Sequence, residues 1–337
     1  MFITILQRIF TYTFFQKAVT QGIPLLYGAT GEILTERAGN LNLGIPGIMY
    51  MGGIGGLTGA FLYENSVTTG GGTPNGYIGL VIAFLTALLF ASVGSFIYSF
   101  LTITLRANQN VTGLALTTFG TGLGNFIGGS LAKIGGGSGT QVSVYATGQA
   151  FRTTIPVLSE IPVIGPLVFS YGFLTYLGIA IAIFFSWYLA KTKGGLSLRA
   201  VGENPSTADT AGVNVIKFKY IFTVLGGAIS GLGGLYFVME YLGGTWQNNG
   251  FGDRGWLAIA LVIFALWKPA RAIWGSFLFG GLYILFAYLP IGDAIQEIFK
   301  MLPYVVTIVV LVITSLRKRR EEQPPASLGL PYFREER

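Results

Sequence analysis

The polar run from Leu198 to Val215 holds the most ordered set of reactive and recognition side chains in this chain. Its members are Arg199, Glu203, Asn204, Pro205, Ala208, Asp209, Ala211 and Gly212. Asn204 suits an N-cap, and Pro205 fits a first helical turn, where its missing N–H removes no helical hydrogen bond. Gly212 suits the C-terminal end of the same short helix. Ala208, Ala211 and Gly212 fall at i, i+3 and i+4, so the spacing predicts a small-residue face that a groove on another protein can approach closely. Arg199, Glu203 and Asp209 would set its register. The chemistry on offer is docking rather than bond making. A solvated amphipathic loop with no partner is the other reading of the same residues.

A second set carries amides and aromatic rings. Asn40 and Asn42 stand in the break Gly39-Asn40-Leu41-Asn42-Leu43-Gly44, which fits a discontinuous helix lining a polar pathway or a simple glycine-rich turn. Asn side chains donate and accept, as sugar hydroxyls and base edges require. Asn110, beside Asn108 and Gln109, and Asn125 are further pathway candidates. Trp246, Asn248, Asn249 and Phe251 combine rings with amides, a mix that stacks on a base and hydrogen-bonds it, or that forms an interfacial aromatic belt. Asp253 and Arg254 read as a local ion pair or a contact to an extracellular binding protein. Glu32 and Glu36 are i, i+4 on a helix, and Arg37 could neutralise one of them; charges at membrane depth are costly unless paired or functional, and cheap at headgroup level.

Absent residues narrow the classes. There is no His and no Cys, which excludes disulfides, thiol chemistry and the usual zinc sites and removes the commonest acid–base side chain. No Gly-x-x-x-x-Gly-Lys-Ser/Thr run occurs, so the chain holds no P-loop for ATP. No cofactor-binding motif stands out either. A membrane enzyme is thereby disfavoured. A stand-alone secondary transporter would need an intramembrane acid for ion coupling, and Glu240 is the candidate besides Glu32 and Glu36.

The elements that must position these residues are membrane helices. Hydrophobic residues make up 52% of 337 residues and charged residues 10%, against about 25% charge in a soluble domain. Uncharged stretches separate Glu64 from Arg106, Arg106 from Lys133, Glu160 from Lys191, Lys219 from Glu240, and Arg271 from Asp293. About 20 apolar residues cross a bilayer as a helix. The pattern predicts an all-α, polytopic bundle of eight to ten helices, some of them broken, with a transmembrane domain over residues 1–320 and a loosely ordered cytoplasmic tail over 321–337. The segment before residue 18 carries Arg8 and reads as an interfacial helix or a poor span. The stretch 31–47 reads as too polar for lipid and too glycine-rich for a plain helix. The glycine runs at 52–56, 120–124 and 226–234 read as packing faces or helix breaks.

Basic residues orient the bundle. Lys191, Lys193, Arg199, Lys217 and Lys219, then Lys268 and Arg271, then Arg317 to Arg320 lie at every second junction, which places all of them on the cytoplasmic side, with Arg106. The loop 192–218 then faces the cytoplasm, and the loops 64–76, 133–165, 241–255 and 291–297 face outward. The side of the amino terminus stays open. The net charge of +7 reflects this orientation rather than binding to nucleic acid.

Three ordered motifs resemble a known family. Glu36-Arg37-Ala38-Gly39-Asn40-Leu41-Asn42-Leu43-Gly44-Ile45-Pro46-Gly47 is similar to the amino-terminal signature of bacterial ABC importer permeases of the branched-chain amino acid, ribose and nucleoside family, in its nucleoside branch. Pro46 stands where that branch usually has Glu. Arg199-Ala200-Val201-Gly202-Glu203-Asn204-Pro205, continuing through Gly212 and Lys217, resembles the family's cytoplasmic loop that contacts the ATPase. Gly255 to Pro269, followed by Gly275 and Gly280, resembles the nucleoside branch's run after its substrate-side loop. The resemblance implies a multi-pass permease in the bacterial inner membrane, among lipids, without ATPase activity of its own. It implies a cytoplasmic ATPase partner that uses ATP and Mg, a second related permease, and a substrate-binding lipoprotein outside. Nucleoside is the substrate it favours, then ribose or another sugar, then a branched-chain amino acid.

Overall fold

The computed structural model describes residues 12–134, 141–154, 156, 158–162, 164–289, 293–317 and 322–334. The readings placed on Arg8, on the Gly135 to Gly137 run and on Lys318 to Arg320 lie outside them.

Helix α1 spans Tyr12–Arg37, α2 Ile45–Thr69, α3 Gly76–Ser99, and α4 Gln109–Ile134. A short strand β1 (Gln141–Ser143) and helix α5 (Tyr145–Phe151) precede α6 (Phe173–Lys191). Helices α7 (Lys193–Glu203) and α8 (Pro205–Thr210) form the long polar connection to α9 (Val215–Tyr236), which continues as a wider turn to Tyr241. Then come β2 (Thr245–Gln247), α10 (Arg254–Phe264), α11 (Pro269–Ile284), α12 (Asp293–Lys300) and α13 (Leu302–Arg317). Five of these helices, with their continuations, are long and apolar enough to cross a membrane: Ile45–Thr69, Gly76–Thr104, Phe173–Lys191, Val215–Tyr241 and Pro269–Tyr288. Helices α10 and α13 are apolar but shorter, while α1 and α4 have spanning length with polar or glycine-rich stretches. Among the described residues the bundle is therefore a polytopic helical one, as expected.

Two layers of burial follow from composition. The most apolar 18-residue windows of α2 and α9 are 83% buried, whereas that of α3 with its continuation is only 28% buried and that of α6 33%. Helices α2 and α9 thus form the centre, with α1 against them, and α3 and α6 turn leucines, valines and phenylalanines outward, as lipid demands. Lipid gives no hydrophobic drive between apolar helices, so close backbone approach must hold them. The glycine runs supply it: a Cβ on Gly234 would fall on the Met49 carbonyl, and one on Gly227 on the Ser95 hydroxyl. Helices pass unbroken through the runs at 52–56 and 226–234, so these are packing faces and not breaks.

Several boundaries differ from expectation. The stretch Gly31 to Arg37 is plain helix, because Glu32 and Glu36 are buried and bonded and Gly31 packs on Gly226. The chain breaks only at 38–44. The described part of the tail, 322–334, is not loose: Ser327 N–H donates to the Gly202 carbonyl at 3.0 Å, Leu328 packs on the main core, and Phe333 lies under the Arg106 guanidinium at 4.3 Å.

The two ends of the bundle separate as the charge pattern requires. At one end β1 pairs antiparallel with β2, with Val142 opposite Trp246. There the Arg152 side chain donates to the Glu240 and Tyr241 carbonyls, both at 2.6 Å, and Glu64 accepts the Thr147 N–H at 2.7 Å. These contacts tie three of the four expected outer loops together, those at 64–76, 133–165 and 241–255. The start of α1 lies at this end too, since Gln21 donates to the Tyr241 hydroxyl at 2.7 Å and Lys17 lies 5.7 Å from the Tyr288 ring. The opposite end gathers Arg37, Arg199, Lys268, Arg271 and the tail.

Candidate functional site

The polar connection forms as its residues dictate. Thr192 caps α7 by accepting the Gly195 N–H at 3.0 Å. Asn204 caps α8 by accepting the Thr207 N–H at 3.0 Å, with Pro205 in the first turn, and Asn214 caps α9 through Lys217 N–H at 2.9 Å. Side-chain oxygens thus satisfy orphan donors at three successive helix starts. Gly212 takes φ +85° just past α8, the left-handed position a side chain resists.

The small-residue face is divided. Ala208 is buried against Val201 and Val215 of the same chain, so it anchors α8 to the body instead of offering itself to a groove. Ala211 and Gly212 are exposed, and nothing lies within 4 Å of the place a Gly212 Cβ would take. Arg199 is exposed and Glu203 half-buried. Asp209 accepts from the Tyr332 hydroxyl at 2.8 Å and pairs with Arg334 at 3.2 Å. The tail thereby clasps α8 from one side, which no sequence pattern announced. A cleft of about 310 Å3 lies between Asp209, Asn214 and Arg334.

The break between α1 and α2 is braced from all sides. Glu32 Oε1 accepts the Asn42 N–H at 3.0 Å, and Asn42 Oδ1 accepts the Gly44 N–H at 2.9 Å. Gln109 accepts the Leu41 N–H at 2.7 Å, and the Tyr98 hydroxyl donates to the Leu41 carbonyl. The Glu36 carboxylate accepts the Trp267 indole N–H, and the Arg37 guanidinium donates to the Trp267 carbonyl at 3.1 and 3.2 Å. Arg37 therefore holds backbone and not the carboxylate beside it. Glu32 and Glu36 are 1% and 4% exposed, so they do not sit in open headgroup water. Asn42 is fully buried within this network; its Nδ2 and Glu32 Oε2 have no hydrogen-bond partner among the described residues. Asn40 is buried too, donating to Thr223 at 3.2 Å, yet it borders a cavity of about 170 Å3 with Arg106, Gln109, Lys219 and Tyr332. Pro46, the departure from the family signature, lies in the first turn of α2 and packs against Gly255, with both residues buried.

The outer amide–aromatic set packs inward. Trp246 and Phe251 are 4% and 5% exposed and meet Tyr50 edge-on at 5.9 and 5.5 Å. Phe251 also meets Phe237 at 4.9 Å. The rings enclose a cavity of only about 10 Å3 floored by Gly53 and Gly234. Asn248 accepts the Trp246 indole N–H at 3.0 Å, and Asn125 and Asn249 exchange hydrogen bonds at 2.9 and 3.2 Å. So Asn125, Trp246, Asn248, Asn249 and Phe251 do converge, but as a closed cluster and not as free rings in a loop. Asn110 is exposed at the start of α4, away from them.

Two side chains depart from their expected roles. Arg254 does not pair with Asp253: it donates to the Phe251 carbonyl at 2.9 Å and to Gln21 at 3.2 Å, boxed by the rings of Phe237, Tyr241 and Tyr283. Glu240 accepts the Leu174 N–H at 2.8 Å and the Thr175 hydroxyl at 3.3 Å. Both donors lie in the first turn of α6, so the carboxylate caps that helix and complements its dipole. It has a structural partner, which removes the motive for an ion-coupling role.

Comparison with known proteins agrees with this architecture. The family model of the branched-chain amino acid transport system permease component matches residues 14–311. The guanosine ABC transporter permease protein NupQ of Bacillus subtilis is 31% identical, over 93% of this chain and 94% of that one. The nucleoside ABC transporter permease protein NupC of Lactococcus lactis is 32% identical, over 86% and 88%. A relative assigned to glucose, the ABC transporter permease protein TsgC13 of Haloferax volcanii, is 34% identical, over 76% and 71%. The chain is a multi-pass membrane permease subunit and belongs to the branched-chain amino acid transport system permease family.

Proposed function

We propose that this permease carries nucleosides inward as part of an ATP-driven importer. A cytoplasmic ATPase supplies the energy, docking on the segment around α8, while a second related permease completes the pathway and a substrate-binding lipoprotein delivers cargo. The observation that carries the substrate is full-length similarity to two relatives named for nucleosides and guanosine. The chemistry of the outer cluster supports it: three rings and a set of amides suit a base and a ribose. A ligand pocket of this kind usually offers about 300–1,000 Å3. On this reading the rings of Tyr50, Trp246 and Phe251, with only about 10 Å3 between them, act as a closed gate that parts for cargo to pass.

The inward segment fits a lever. Its anchor is the buried contact of Ala208 with Val201 and Val215, directly at the start of α9, one of the two central helices. Displacing α8 would pull on α9, whose continuation at its other end carries Phe237 against the outer cluster. ATP binding at the partner would thus reach the gate through one continuous rod.

A sugar is the second reading, favoured by the glucose-assigned relative. Uptake of labelled guanosine, uridine and glucose into cells lacking other carriers separates the two. Saturable nucleoside uptake that glucose does not inhibit supports the proposal, and the reverse competition overturns it.

A further inference from the structure

The transport pathway leaves unused a cleft of about 340 Å3 at the basic end of the bundle. Arg37, Arg199, Lys268 and Arg271 line it, with Leu189 and Pro269 on its apolar side. No acid is among its lining residues. Of the acids nearby, Glu322 pairs with Arg271 at 3.4 Å, Glu203 acts on Arg37 through space, and Glu36 lies behind Trp267. Among the described residues, four cations therefore face two nearby carboxylates and a third that is buried and bonded. The Arg37 guanidinium is held at the wall by its two bonds to the Trp267 carbonyl, so one cation is preset in place.

The position of the cleft decides what fits. Leu189 belongs to the last turn of α6, and Pro269 opens α11, so the cleft sits where two spanning helices meet the aqueous end. Outward along the same helices run Ile183, Trp187, Trp274 and Leu278, exposed by 56%, 55%, 77% and 45%. Exposed tryptophans of this kind mark the interfacial level of a bilayer. A basic pocket between helices on the cytoplasmic side is a headgroup site by its charge, and the apolar wall leading out of it gives an acyl chain a place to lie.

We propose that this cleft binds the phosphodiester headgroup of an anionic phospholipid from the inner leaflet. Inorganic phosphate offers the same oxygens without the chain, and an acidic side chain of the ATPase offers the same charge without the lipid. The lipid is favoured because half of the cleft is apolar and continuous with the exposed wall. Arg199 would then touch both the lipid and the docking segment, so the test leaves it intact.

The experiment uses the full chain in its complex, in a neutral detergent, with bound lipid read by native mass spectrometry. Phosphatidylglycerol, phosphatidylcholine and inorganic phosphate are the probes. The expected result is selective retention of phosphatidylglycerol that millimolar phosphate does not displace. The Lys268→Gln/Arg271→Gln double variant should weaken retention roughly thirty-fold, the effect of two cations at a membrane surface. The Lys268→Arg/Arg271→Lys variant should keep it. Equal retention of the two lipids overturns the proposal, as does displacement by phosphate at equal affinity. Loss of the ATPase from the Gln variant with lipid retention unchanged assigns the cleft to protein docking and also overturns it. Should the Gln variant fail to assemble, salt titration of the wild-type complex decides: phosphatidylglycerol retention must fall steeply with ionic strength, and a flat response refutes the site.

Discussion

Gly212 offers the sharpest test of the docking segment. It sits at φ +85° with open space where a Cβ would stand. A Cβ there meets nothing within 4 Å among the described residues, so the penalty of a small side chain is the left-handed backbone, about 1 kcal/mol for Ala and less for Asn. That shifts the local helix end roughly five-fold and leaves the bundle intact. Docking adds a second term that depends on bulk. If a partner's groove closes over Ala211 and Gly212, Gly212→Ala should lose a few-fold, Gly212→Asn should lose more than Ala despite its smaller backbone strain, and Gly212→Trp should abolish ATP-driven uptake. Membrane insertion and melting temperature should be alike in all three. The assay is uptake and substrate-stimulated ATP hydrolysis in vesicles carrying the assembled complex. Ala and Trp reducing uptake equally would mean that strain acts and bulk does not. Full ATP-driven uptake by the Trp variant would refute the reasoning outright.

Other consequences can be checked on the purified chain. Glu240→Ala removes the carboxylate that caps α6 and should destabilise the fold by about 1–2 kcal/mol, with Glu240→Gln milder because it keeps an acceptor; thermal melts in detergent rank them. Gly234→Val drives a side chain into the Met49 carbonyl and should prevent assembly of monodisperse protein, whereas Gly122→Ala, which meets nothing within 4 Å, should leave yield and melting temperature unchanged. Tyr332→Phe with Arg334→Gln removes the tail's contacts to Asp209 and should expose the tail to limited proteolysis, while changing global stability by about 1 kcal/mol or less, as expected for a partly exposed pair.

The membrane class, the gathering of basic residues at one end of the bundle and the capped helix at Pro205 were legible because each rests on local chemistry: uncharged runs, basic junctions, and Asn-Pro spacing. What resisted reading was the long-range pairing. Arg254 looks like half of a surface ion pair beside Asp253, yet it reaches back 233 positions to Gln21. Glu240 looks like a coupling acid because the helix it caps begins 67 residues earlier, at Phe173. Trp246 and Phe251 look like loop residues until the strand pair with 141–143 folds them over Tyr50. Glu32 and Glu36 make a helix seem doubtful, because only the burial of Asn42 and Trp267 supplies the donors that make those carboxylates tolerable. The composition of the tail suggests disorder, and its order comes from distant partners: Asp209, the Gly202 carbonyl, Arg106 and the core against Leu328.

The central claim is that this permease moves nucleosides on energy supplied by a separate ATPase. Its most direct measurement is uptake of radiolabelled guanosine into proteoliposomes that contain the co-purified complex, with ATP and Mg supplied on the side of the basic end. Accumulation that requires ATP and survives collapse of proton and sodium gradients is the predicted result. Accumulation by the chain alone, driven by an ion gradient and indifferent to ATP, would contradict it.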